Sequence, residues 1–105
     1  MVKDFVYNAR LGIALPDIED DWTHVSLDRR QRILLRWEEI RGSIPDRIKD
    51  LEGVINCKQE RLNDEEQFER SCELNHEIAE LASQINDLQI WYRVHQEIKP
   101  MKNHV

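Results

Sequence analysis

Two ladders of apolar residues, separated by a short polar gap, constrain this chain more than any other feature. The first falls at Ile44, Ile48, Leu51, Ile55, Lys58 and Leu62, the second at Ser71, Leu74, Ile78, Leu81, Ile85, Leu88, Tyr92 and His95. Steps alternating between three and four residues keep one stripe facing a partner helix, the heptad rule of coiled coils. Between the ladders lies Asn63-Asp64-Glu65-Glu66-Gln67, all polar where a continuous seam needs an apolar residue. Asn63 suits an N-cap, and Glu66 three positions later completes a capping box. The spacing predicts an antiparallel hairpin folding back near Asn63, in preference to one unbroken helix from Pro45 to Ile98. Folded there, Ile55 stands opposite Leu74, Leu51 opposite Ile78, Ile48 opposite Leu81 and Ile44 opposite Ile85. Trp37 then comes beside Trp91 and Tyr92, and Leu34 faces His95.

Upstream, Ser26 is an N-cap candidate with Asp28 in the first turn, followed by Leu27, Leu34, Trp37 and Ile40. Gly42 suits the left-handed residue that ends many helices, and Ser43 can cap the next, with Pro45 in its first turn. A proline inside a helix costs about 3 kcal/mol, so the first arm is expected to break near Gly42–Pro45. The expected helices are about 26–41, 44–62 and 64–98, the last stopped by Pro100, with residues 100–105 as a tail. At about 1.5 Å per residue, each arm of the 26–99 hairpin approaches 50 Å.

Such a hairpin leaves Leu35, Val54, Phe68, Ala79, Ala82 and Ile90 uncovered. One cover is the N-terminal segment, residues 1–25, where Val2, Phe5, Val6 and Ala9 follow a helical stripe. It is expected as a short helix or extended piece with an acidic loop. The other cover is a second copy, making a homodimeric four-helix bundle. The fold class expected is all-α, a three-helix or dimeric four-helix-bundle-like arrangement.

Composition excludes several alternatives. Three glycines and three prolines are too few for a β-sandwich, which needs frequent turns. The longest uncharged run, Leu11–Pro16, is far short of the about 20 apolar residues that cross a bilayer, so no membrane role is expected. The N-terminus lacks a basic flank followed by an apolar core, and the two cysteines match no zinc-finger spacing. Free thiols in a cytoplasmic protein are expected. The net charge of −6 is distributed as −3 over residues 1–25, +2 over 26–62 and −5 over 63–105. That division predicts a basic arm answered by an acidic one, and net acidity argues against nucleic acid as a partner.

The candidate chemistry is sparse. Glu73 and His76 form an E-x-x-H step, but di-iron bundles need two such motifs and two further glutamates. Cys72, one turn from His76, completes a weak metal candidate with Cys57 at a similar height on the facing arm. A solvated face and two ordinary thiols account for these residues, so no metal or cofactor is expected. Arg29, Arg30, Arg32 and Arg36 are expected to pair with Asp17–Asp21 or with Glu97. Asp17, Ile18, Asp20, Asp21 and Trp22 are the protein-interaction candidates, since Trp is enriched in binding hot spots. For Ile18 and Trp22 the favoured role is to anchor the N-terminal segment onto the bundle. No phosphate loop, activated nucleophile or deep pocket is legible, so no enzyme is expected. The chain reads as a helical protein–protein interaction module, an adaptor or regulatory subunit. The alternatives are a metal-binding bundle using His76 with neighbouring glutamates, and an acidic nucleic-acid mimic or antitoxin-like inhibitor.

Overall fold

A computed structural model describes residues 4–94. The chain forms β1 (Phe5–Asn8), β2 (Ile13–Pro16), a 3₁₀ turn (Trp22–His24), α1 (Leu27–Asp64) and α2 (Phe68–Tyr92). It is mostly helical, and its centre is a hairpin of two packed helices joined by Glu65-Glu66-Gln67. The molecule measures 59 × 25 × 25 Å, its long dimension matching the about 57 Å of a 38-residue helix.

The N-cap of α1 falls on Ser26, whose Oγ accepts from the Arg29 N–H at 3.1 Å, with Asp28 in the first turn. From there α1 is unbroken, which corrects the expected break near Gly42–Pro45. Gly42 does not adopt positive φ, and Pro45 sits inside the helix on its exposed face. The reason is tertiary. Ile33, Trp37, Ile40, Ile44 and Leu51 are all buried, and a break at Gly42 would turn part of that face outward. Burying a single isoleucine is worth about 1.5–3 kcal/mol, so the row outweighs the cost of one interior proline. The Ser43 hydroxyl donates to the Ile40 carbonyl at 2.6 Å instead of capping a new helix.

The turn also lies later than expected. Asn63 and Asp64 belong to α1, the Glu65 N–H closes the helix by donating to the Leu62 carbonyl, and Glu65 Oε2 accepts from the Gln67 N–H at 3.1 Å. Gln67, not Asn63, is the N-cap of α2, without a side-chain capping bond. Across the two helices, Lys58 of α1 reaches Glu77 of α2. α2 runs from Phe68 to Tyr92 with Arg93 as its C-cap, which corrects the expected helix of 64–98 at both ends; His95 and the tail 100–105 lie outside the described residues.

The N-terminal segment is not a helix: its extended stretches pair as a β-hairpin, which adds a small two-stranded sheet to the mostly helical fold. β1 and β2 pair antiparallel, with Phe5 opposite Pro16 and Asn8 opposite Ile13. The Asn8 side chain accepts from the Leu11 N–H at 2.9 Å, and the Gly12 N–H donates to the Asn8 carbonyl at 2.7 Å. Gly12 has φ +74°, and a Cβ there would lie 2.7 Å from Arg47 Nε, so both backbone and space demand glycine. Arg47 uses the opening to donate to the Leu11 carbonyl at 3.0 Å, tying the turn to α1. The helical stripe through Phe5, Val6 and Ala9 was too short to separate a period of 3.6 from one of 2. Its fourth member, Val2, lies outside the described residues.

The core gathers at the end of the hairpin that this sheet covers. Leu11, Ile13, Ile18 and Val25 meet Ile33, Trp37, Ile40, Ile44, Leu51, Leu88 and Val94 in one cluster. Trp37 is wholly buried, edge-on to Trp91 with ring centroids 5.7 Å apart, and its indole N–H donates to the Val94 carbonyl.

A candidate docking surface on the open arm

Of the interaction candidates in the acidic loop, Ile18 and Trp22 face inward, whereas Asp17, Asp20 and Asp21 are exposed. Ile18 is 3% exposed and part of the core, and half-buried Trp22 packs against it beneath the Arg30 guanidinium, 5.6 Å from the ring centroid. Asp21 accepts from the Thr23 N–H at 3.0 Å and caps the 3₁₀ turn, while Asp20 pairs with Arg29 at 2.7 Å. Asp17 is exposed, and its N–H donates to the Asp4 carbonyl at 2.8 Å. The loop is thereby fastened along its length.

The arginine cluster is used in the same way. Arg29 bridges Asp4 and Asp20, whose hydrogen bonds raise its pKa, Asp4 contributing most. Arg30 donates to the Val25 carbonyl at 3.1 Å, Arg32 pairs with Asp28, and Arg36 with Glu39. The other proposed acceptor, Glu97, lies outside the described residues. Arg10, in the β-turn, spans Glu80 at 2.9 Å, Asp87 at 2.6 Å and the Ser83 hydroxyl at 2.8 Å, clipping the sheet to α2. That contact depresses the Glu80 pKa through the Arg10 hydrogen bond.

The metal candidates do not assemble. Cys72, Glu73 and His76 are exposed, Cys57 is also exposed and free, and Glu73 is taken by Arg70 at 2.8 Å. Among the described residues no three His, Cys, Asp or Glu side chains converge as a metal site.

Beyond the sheet the two helices run on alone. The seam residues nearest the sheet, Trp37, Ile44, Leu51 and Leu88, are buried, and Leu34, Ile48, Leu81 and Ile85 are half-buried against the same core. Tyr92 is exposed, its ring under the Arg41 guanidinium at 4.9 Å. Farther out, Ile55 and Ile78 are only half-buried, and Leu74 is fully buried yet separate from the main core. A shallow groove of about 510 Å³ runs between the helices, lined by Ile55, Ala82 and Ile85 with Glu52 and Asn56 beside them. Val54 is also exposed on the arm, and Phe68, at the tip, is 80% exposed.

Charge separates along the same division. Residues 46–84 carry eleven acidic and five basic side chains, a balance of −6, while the rest of the chain holds ten of each. Between α1 and α2 of the arm the ion pair is Lys58–Glu77 at 2.8 Å, which lowers the Glu77 pKa, Lys58 acting more strongly than Arg70. Arg70 otherwise stays with its own helix, and Arg47 is turned to the β-turn carbonyl. The expected answering of a basic arm by an acidic one is therefore confined to one contact there. Sequence reasoning had marked Ile55 and Ile85 as seam residues, but not the groove they share with Ala82. Cutting the charge by helix, instead of by distance along the hairpin, concealed the acidic arm.

No helix among the described residues is long and apolar enough to cross a membrane. The chain matches no family model, no curated protein and no solved structure.

Proposed function

We propose that this protein is a non-enzymatic interaction module whose open arm docks a protein partner, the β-capped end serving as its rigid mount. The observation that carries this reading is the incomplete packing of the arm. Two helices bury only the stripe between them, and a stable bundle needs a further helix on the groove formed by Ile55, Ala82 and Ile85. Completion in trans gives a three-helix or four-helix bundle, in keeping with an adaptor or regulatory subunit acting in the cytoplasm. The shallow groove offers no enclosed space for a small substrate, and it brings together no acid–base pair.

The test compares proteins captured from a native extract by the unaltered chain and by Val54→Asp and Ala82→Asp. Both positions are exposed, so circular dichroism should show the same helicity and nearly the same melting temperature. The expected result is a discrete set of proteins retained by the unaltered chain and lost from at least one variant. Identical capture by all three would overturn the reading, as would a metal-dependent or hydrolytic activity abolished by Glu73→Gln or His76→Ala.

A further inference from the structure

Resting on the docking role of the arm, we infer that the occupant of its groove is a basic amphipathic helix of a different protein. Three observations select that chemistry. The groove lies between α1 and α2, which run side by side over about 19 and 17 residues at 46–64 and 68–84, so its natural complement is a third helix of similar length. Its floor is aliphatic, Ile55, Ala82 and Ile85, which suits a stripe of Leu, Ile or Val spaced three and four residues apart. Glu52 is the charged residue of its lining, and the arm that carries the groove holds eleven acidic against five basic side chains. An occupant carrying Lys or Arg on both flanks of its apolar stripe answers that field.

The same charge argues against a second copy. Laying one arm along another would bring together two segments of −6 each, a like-charge contact that complementary interfaces avoid. The partner is thus expected to be heterologous, and its association to weaken as salt is added, because the charges are exposed and screened.

The probe is a synthetic helix of about 20 residues with leucines in heptad spacing and lysines on both flanks. Two controls accompany it: a scramble with the same composition but no stripe, and the same stripe flanked by glutamate. Binding is followed by amide chemical shifts of the intact protein, with sedimentation of the protein alone. The expected result is saturable binding of the lysine stripe peptide, with shifts centred on Ile55, Ala82 and Ile85. Raising salt from about 0.05 to 0.5 M should weaken it about tenfold, as screening of exposed charge predicts. Ala82→Arg should weaken it by a similar factor, while Leu35→Arg, on the capped part of α1, leaves it unchanged.

Equal binding of the scramble would mean charge alone attracts the peptide, and equal binding of the glutamate version would mean charge plays no part. Either overturns the inference, as does a map of shifts centred elsewhere. A dimer in sedimentation that Ala82→Arg dissociates would assign the groove to a second copy. If the peptide fails while extract capture is still lost in Ala82→Asp, the docking role stands and the basic helix falls. If both fail, both fall.

Discussion

The two ends of the hairpin are built from the same two helices, yet they are packed very differently. At the capped end, α1 lies beneath a β-sheet and against α2, and Trp37, Ile40 and Ile44 vanish from solvent. At the open end, among the described residues, the same helix meets only α2, and Ile55 and Leu62 remain half-exposed. Local structure is identical in the two places, so helicity does not explain the difference. What differs is the number of layers, since an amphipathic stripe is satisfied only when another element covers it. Charge follows suit: the arm carries the whole net charge, and the remainder of the chain is balanced.

If the capped end holds the stability, cutting its core should dominate every other change. Trp37→Ala removes a fully buried ring, its edge-on contact with Trp91 and its bond to the Val94 carbonyl. A loss of about 3–5 kcal/mol is expected in denaturant unfolding, enough to unfold much of the population. Leu74→Ala in the arm should cost about 2–3 kcal/mol, appearing first as faster amide exchange around residues 58–78 while the Trp37 region stays protected. Equal loss of protection at both ends would break the comparison, making the molecule one cooperative unit.

Smaller effects refine the boundary. Gly12→Ala places a Cβ in a left-handed conformation against Arg47 and should cost about 1–2 kcal/mol, read as a lowered melting temperature. A neutral outcome would show that the β-turn is not held as tightly as its bonds to Leu11 imply. The least effect concerns pH. Glu80 and Glu77 are held below the ordinary 4.5, the first by Arg10 and the second mainly by Lys58. Their folded forms favour the ionised carboxylate, so the stability they add is present above about pH 4.5 and is lost as pH falls through the lowered values. Arg10→Ala should flatten the part of that decline due to the sheet clip, and Lys58→Ala the part due to the arm. Melting curves across pH 3–7 that match the unaltered chain would remove the assignment, since an ordinary carboxylate near 4.5 titrates inside that window.

Much of the hairpin was legible because its signals span many residues. Seven-residue periodicity held over both arms, and the hydroxyl of Ser26 capped α1 where its position suggested. Trp37 and Trp91 met as the fold-back required. What escaped the sequence had short range or was decided by distant contacts. Eight N-terminal residues fit two periods, and only Asn8 with Gly12 distinguished the β-turn. Pro45 looked like a terminator because propensity is local, whereas the burial that keeps α1 straight through it is not. The candidate surface was half visible: Ile55 and Ile85 were read as seam, but the gap between the helices depends on where the sheet stops, and nothing in the chain marks that point. Ile18 and Trp22, conspicuous beside so many acids, face the core, as anchors of the N-terminal segment would.

Pro45 has a mechanical consequence. It supplies no N–H to the Arg41 carbonyl, so the ladder of α1 lacks one rung within the stretch that the sheet-covered core packs against. A rod flexes most easily where a rung is missing. Here Ile44 before Pro45, and Ile48 and Leu51 after it, are packed into the core, so side-chain burial splints the helix where its own bonding is one short.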